Sequence, residues 1–123
     1  MKVSAFTFIK NGQLLGYPFI QSIKSILPIV DEFIINVGNS EDNTFELIKS
    51  ISSRKIKVIE SNWNDSMEDR GYVYGQQKMI GQFNCTGDWC FYIECDEVYH
   101  EDDLNKIKES MLKYRDEPNI EAL

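Results

Sequence analysis

Apolar runs of strand length alternate with helix-length amphipathic patterns along the whole chain, and this alternation limits the possible folds more than any other feature. Val3 to Ile9 reads as a first strand, Phe33 to Val37 as a second, Ile56 to Ile59 as a short third and Trp89 to Ile93 as a fourth. Pro18 to Leu27 reads as a helix with Pro18 in its first turn and Phe19, Ile20, Ile23, Ile26 and Leu27 on one stripe. Ser40 reads as the N-cap of a second helix, with Glu41 and Asp42 at its positive end and Phe45, Leu47, Ile48 and Ile51 facing inward. A polar stretch, Ser61 to Arg70, holds Trp63 and precedes a helix whose expected inner face is Tyr72, Gln76, Met79, Ile80 and Phe83. Thr86-Gly87-Asp88 stops that helix. A last helix, Glu101 to Arg115, starts with acids and ends with bases, as the helix dipole favours. The order β-α-β-α-β-loop-α-β-α predicts a single α/β domain over residues 1–123: a doubly wound, mostly parallel sheet with helices on both faces. Sheets of this kind bind ligands outside the carboxyl ends of their strands, at a topological switch point.

The polar clusters fall at those ends. The first strand runs into Lys10-Asn11-Gly12, the second into Gly38-Asn39-Ser40-Glu41-Asp42, and the fourth into Glu94-Cys95-Asp96-Glu97. The last is the most telling. Trp89 to Ile93 is apolar and aromatic on both faces, as a strand covered on both sides would be. It runs straight into three carboxylates, and a chain of net charge −7 gains nothing for its fold by crowding anions there. Hard divalent cations prefer carboxylate oxygens, so a metal accounts for the crowding.

The same net charge argues against a nucleic-acid binder, which needs a basic footprint. No apolar run approaches the roughly 20 residues that span a bilayer, and the first residues lack a signal-peptide pattern, so a soluble, cytoplasmic protein is the expectation. Cys85, Cys90 and Cys95 are an odd, small number that suits free thiols in a reducing compartment. Their spacing matches no common zinc or iron-sulfur pattern, and Cys90 and Cys95 point to opposite faces of one strand; small buried hydrophobes are the expected role. His100, alone before an acidic helix, reads as a cap or surface residue, and Trp63 as packing over the rim.

Taken in order and spacing, these segments resemble the family 2 glycosyltransferases of GT-A fold. The first strand into Lys10-Asn11 carries part of the resemblance. Val37-Gly38-Asn39-Ser40-Glu41-Asp42-Asn43-Thr44 is similar to the family's Asp-Asp/Asn-Gly-Ser-Thr-Asp-Gly-Thr turn. Gly87-Asp88 through Glu94-Cys95-Asp96-Glu97-Val98 is similar to Gly-Asp, an apolar strand, then Asp-x-Asp-Glu, and Lys78 and Gly81 fall where the family has a basic residue and a glycine. The match covers most of residues 1 to 104. Two departures stand out: Val37 where the family often has a nucleoside-contacting Asp, and Glu94 as the first acid, one methylene longer.

The resemblance implies binding of a nucleotide-diphospho-sugar by Phe8, Asn11, Val37, Asn39, Lys78 and Glu94. It implies Mg²⁺ or Mn²⁺ on Asp96 and Glu94; Glu97, beside them, either joins that site or caps and orients the turn. It implies an enzyme whose catalytic base lies beyond Leu123, so that the chain is the N-terminal, nucleotide-sugar-binding portion of a longer domain, with Ile120 to Leu123 beginning another strand. The acceptor, a sugar, lipid or protein, stays open, and peripheral membrane association is compatible with the resemblance. The physics agrees with a metal: like charges about 4 Å apart repel by about 4 kcal/mol at an effective dielectric of about 20, and a diphosphate beside these acids meets several such terms. The rival reading is a non-catalytic nucleotide-binding or interaction module that keeps the rim and lacks the chemistry. A phosphoacceptor receiver fits less well, because receivers also gather acids at the first strand, which here ends in Lys10-Asn11.

Overall fold

The computed structural model describes residues 1–123. Four strands, β1 (Val3–Ile9), β2 (Glu32–Gly38), β3 (Ile56–Ser61) and β4 (Trp89–Tyr92), form one sheet in the order β3-β2-β1-β4, and every pairing is parallel. Between and after them lie α1 (Phe19–Ile26), α2 (Thr44–Lys49), α3 (Tyr72–Phe83) and α4 (Glu101–Tyr114). The chain steps outward from β1 to β3, and α3 then carries it back across to β4 on the other side of β1. The direction of winding therefore reverses between β1 and β4, which makes their carboxyl ends the switch point. No helix is long and apolar enough to cross a membrane.

The two-residue period of the strands sorts side chains onto two faces. Val3, Ala5 and Ile9 of β1, Phe33, Ile35 and Val37 of β2, and Ile93 beyond β4 form the main core with Phe19, Ile23 and Ile26 of α1 and Leu104 and Met111 of α4. The opposite face carries Ser4, Phe6, Ile34 and Asn36, and α3 packs there. β2 is buried along its whole length, and β1 at every position except half-buried Phe8, as expected of strands covered on both faces.

The inner face of α3 differs from the expectation. Val73, Gln77 and Gly81 are buried, whereas Tyr72, Met79 and Phe83 are 60%, 51% and 76% exposed. The helix turns its Gln inward because Asn36, in the middle of β2, needs a partner: Asn36 Nδ2 donates to Gln77 Oε1 (2.9 Å) and to the Gln77 carbonyl (3.0 Å). Ser61 Oγ donates to the same Gln77 Oε1 (2.6 Å). Burying an amide without such bonds is costly, and this requirement outranks the larger apolar residues.

Three further expectations are corrected. β4 is an edge strand, not one covered on both sides; Cys90 is exposed and Trp89, Phe91 and Tyr92 are half-buried, because only β1 flanks it. Helix α2 begins at Thr44 with Asn43 at its N-cap position, not at Ser40, whose hydroxyl is used elsewhere. Ile120 to Leu123 form no strand and lie in a turn-and-coil segment that lines the groove between β4 and α4.

At the amino ends of the strands a polar knot ties the sheet together. The buried Glu32 carboxylate accepts from Ser4 Oγ (2.6 Å), from the Thr86 amide (2.8 Å) and hydroxyl (2.7 Å), and from Lys57 Nζ (2.6 Å). Burial alone would push this carboxyl up; the Lys57 ammonium and the Ser4 and Thr86 donors outweigh it and hold the group well below the ordinary range. Gly87 beside it has to be glycine, since a Cβ there would sit 2.7 Å from the Lys2 carbonyl and the Ser4 amide. The Gly87 amide donates to Ser4 Oγ (2.8 Å) and the Lys2 amide to Asp88 (2.7 Å). The Gly-Asp pair thus sets the register of β4 against β1.

Candidate functional site

The loops that leave β1 and β2 are zipped to each other. Asn11 adopts a left-handed conformation (φ 54°); its amide donates to Ser40 Oγ (2.9 Å), and its Oδ1 accepts from the Glu41 amide (2.7 Å). The Leu14 and Thr44 amides both donate to Asp42 (2.8 and 3.0 Å). Burial would raise the Asp42 carboxyl, but the Thr44 hydroxyl and these amides lower it overall. Most of the hydrogen-bonding capacity of the second polar cluster is therefore spent on holding the rim in shape.

Two clefts open on this rim. One, of about 380 Å³, is polar and lies at the ends of β2 and β3, lined by Val37, Gly38, Asn39, Asp42 and Glu60 among others. The other, of about 560 Å³, lies at the switch point, where Phe8, Lys10 and Asn11 from the end of β1 meet Glu94 and Asp96 from the end of β4. Trp63 lines the second cleft and reaches Gly38 and Asn39, which line the first. Its amide donates to Asn39 Oδ1 (3.2 Å), and its indole rests on Gly38, where a Cβ would collide with Nε1.

The acid tip after β4 is built as a turn. The Glu97 amide donates to the Glu94 carbonyl (3.1 Å), and the Glu94 amide donates to Glu97 Oε2 (3.1 Å). Glu97 thus orients the turn, and Glu94 and Asp96 stay exposed on the cleft. Cys95 points the other way, into the core, with Sγ 3.1 Å from Thr7 Oγ1 and 3.2 Å from the Phe8 carbonyl. Burial pushes its thiol up to about 12. Cys85, half-buried and beside Cys90, is also pushed up to about 12, by burial and by that neighbour. Cys90 is exposed, against the expectation that all three are buried. Iodoacetamide at pH 8 should therefore modify Cys90 first and Cys95 only on unfolding, a ranking that peptide mass spectrometry reads directly.

Of the residues expected at the site, Phe8, Asn11, Glu94 and Asp96 line the switch-point cleft, while Val37 and Asn39 line the polar cleft. Val37 is buried, so it offers only backbone groups. Lys78 stands away from both clefts: its Nζ lies 3.6 Å from the centroid of the Tyr92 ring, in the groove between β4 and α4. His100 caps α4, its Nδ1 accepting from the Asp102 amide (3.2 Å). Beyond Trp63, which the sequence places over the rim, the aromatic floor beside the cleft was not legible in the sequence. Phe8 contacts Trp63 (6.0 Å between centroids), Tyr74 (6.3 Å) and Tyr92 (6.4 Å, stacked). Strand alternation could have placed Tyr92 on the α3 face, but it says nothing about Trp63 and Tyr74. Burial pushes the Tyr92 hydroxyl up, and the nearby Glu94 carboxylate adds to the shift.

Comparison with known proteins fits this geometry. Residues 17–117 match glycosyl transferase family 2. An uncharacterized glycosyltransferase of Rickettsia typhi is 32% identical over 96 residues, 78% of this chain and 28% of the relative. One of Rickettsia felis is likewise 32% identical over 96 residues, 78% of this chain and 29% of the relative. The chain thus spans less than a third of the length of these relatives. Among solved structures, residues 1–349 of S. aureus TarS superpose with a TM-score of 0.68 at 14% identity, covering 93% of this chain and 33% of that one. The same portion of TarS in complex with UDP gives a TM-score of 0.68 at 15% identity, with the same two coverages. At such identities the likeness concerns the fold, which is the GT-A arrangement.

Proposed function

Because the chain belongs to glycosyl transferase family 2, we propose that it binds a nucleotide-diphospho-sugar across the two rim clefts and presents the sugar for transfer to an acceptor hydroxyl. The observation that carries this reading is the meeting of Glu94 and Asp96 with the tip of β1 in one cleft at the switch point.

In this reading the nucleoside lies in the polar cleft, against the backbone of Val37 and Gly38 and the side chain of Asn39. The diphosphate lies toward Asp96 and Glu94, over the aromatic floor of Phe8, Trp63 and Tyr74. The donor set fits Mg²⁺ or Mn²⁺. Both carboxylates are exposed on the cleft, the Cys95 thiol is turned into the core, and Glu97 is engaged by the Glu94 amide. Two carboxylates with the rest of the shell from phosphate and water is the usual way Mg²⁺ is held at a phosphate site. Asp96 would be the main ligand and Glu94 the second. When bound, the cation offsets the repulsion between carboxylates and diphosphate and acts as a Lewis acid for the departing nucleoside diphosphate. The Glu94–Glu97 turn fixes where the two carboxylates stand, and Glu97 is not assigned the role of base.

Calorimetric titration of UDP- and GDP-sugars with and without Mn²⁺, followed by assay of released nucleoside diphosphate, tests the proposal. Cation-dependent binding with sugar transfer or hydrolysis supports it. Binding without turnover supports donor binding by this portion alone, and no binding of either donor sinks the reading.

A further inference from the structure

The residues lining the switch-point cleft include three carboxylates, Glu68, Glu94 and Asp96, and one cation, Lys10. That cation is already engaged at the edge of the cleft. Its side chain is only 19% exposed, and its Nζ pairs with Asp65 at 3.6 Å on the loop between β3 and α3. It also lies 5.5 Å from the centroid of the Trp63 ring. Trp63 lines this cleft and touches Gly38 and Asn39 of the polar one, and its Nε1–H is buried with no acceptor. A buried donor group with nothing to bond, beside the cleft, is a cost to the chain. The partner that holds Lys10 is weak: Asp65 is 73% exposed, and exposed pairs contribute little.

We propose that Lys10 and Trp63 form a diphosphate-responsive latch. A nucleoside diphosphate bridging the clefts draws the Lys10 ammonium off Asp65 and the Trp63 ring and onto its phosphates, and the indole shifts with it. Lys10 then supplies the positive charge that Glu68, Glu94 and Asp96 deny to the cleft, and Asp65 sets the affinity by competing for it. The inference rests on the nucleotide-sugar reading above and adds to it a phosphate-binding residue and the carboxylate that restrains it.

The test is calorimetry with UDP and GDP in Mg²⁺, with uridine and guanosine as phosphate-free controls. Lys10→Gln should weaken diphosphate binding by about tenfold or more and leave nucleoside binding unchanged within about twofold. Lys10→Arg should restore most of the affinity. Asp65→Asn should tighten diphosphate binding by about threefold, an effect that loss of a merely structural ion pair does not produce. In a Trp89→Phe background Trp63 is the only tryptophan, and its emission should shift saturably with UDP or GDP and stay fixed with the nucleosides. Diphosphate affinity unchanged in Lys10→Gln, or lowered in Asp65→Asn, overturns the latch and leaves the nucleotide-sugar reading standing. Failure of the unmodified protein to bind either diphosphate overturns both.

Discussion

Replacing Asp96 by Asn is expected to remove the cation dependence of nucleotide binding while leaving the fold intact. Asp96 is exposed on the switch-point cleft and sits in a turn whose hydrogen bonds run between Glu94 and Glu97, so the substitution disturbs neither core nor turn. Surface changes of this kind shift stability by about 0.5 kcal/mol or less. What Asn lacks is the charge. A neutral amide is a poor ligand for Mg²⁺, which dehydrates reluctantly and favours anionic oxygen. Even supporting residues of metal sites cost about 10- to 100-fold when changed, and a direct ligand is expected to reach that range at least. Calorimetry of UDP and GDP, each with and without Mn²⁺, together with a thermal melt, separates the two effects. Undiminished cation dependence in Asp96→Asn would take Asp96 out of the site. Glu94→Gln should cost less, because Glu94 has a longer side chain with more freedom and is the second ligand in the site proposed above.

The parts of this site that were legible in the sequence are those fixed by local pattern. Strand and helix alternation gave the parallel sheet, and the run of acids after an apolar strand pointed to Glu94 and Asp96, which the fold brings to the switch-point cleft. The orienting role of Glu97 and the capping role of His100 follow from side chains meeting backbone within three residues. The rest depends on partners far away in the chain. Ser40 looks like a helix cap until the Asn11 amide, 29 residues earlier, claims its hydroxyl. Helix α3 looks as if it should bury Tyr72, Met79 and Phe83 until Asn36, 41 residues before Gln77, demands an amide partner. Gly81 contributes nothing to an apolar stripe, yet it lets the helix close on Phe6 and Thr7. The place of β4 at the edge is set by the direction of the α3 crossover, which composition does not encode. The seat of Trp63 follows from Gly38, whose missing Cβ leaves room for the indole.

Glu32→Ala is expected to be the most destabilising single change at the opposite end of the sheet. The substitution strips a partner from Ser4, Thr86 and Lys57 at once, leaving the Ser4 and Thr86 hydroxyls short of an acceptor and the Thr86 amide with only its longer bond to Ser4 Oγ (3.2 Å). Removing one member of a buried charged network costs about 3–5 kcal/mol. The Lys57 side chain is 57% exposed and can turn to solvent, which places the loss at the lower end, about 3 kcal/mol. At this chain length that corresponds to a fall in Tm of roughly 10–15 °C. The pH dependence tells whether the charge is responsible. The carboxyl is held well below its ordinary value of 4.5, so as acid is added the unfolded chain takes up the proton first. Its stabilisation is therefore complete above that ordinary value and drains away as pH falls toward the folded one. Urea unfolding of wild type and Glu32→Ala should show the widest gap at pH 7 and a narrowing gap below pH 4.5. A gap that stays constant into acid would mean that Glu32 acts through packing alone, and that the knot joining Ser4, Lys57 and Thr86 holds the sheet without help from its ionisation.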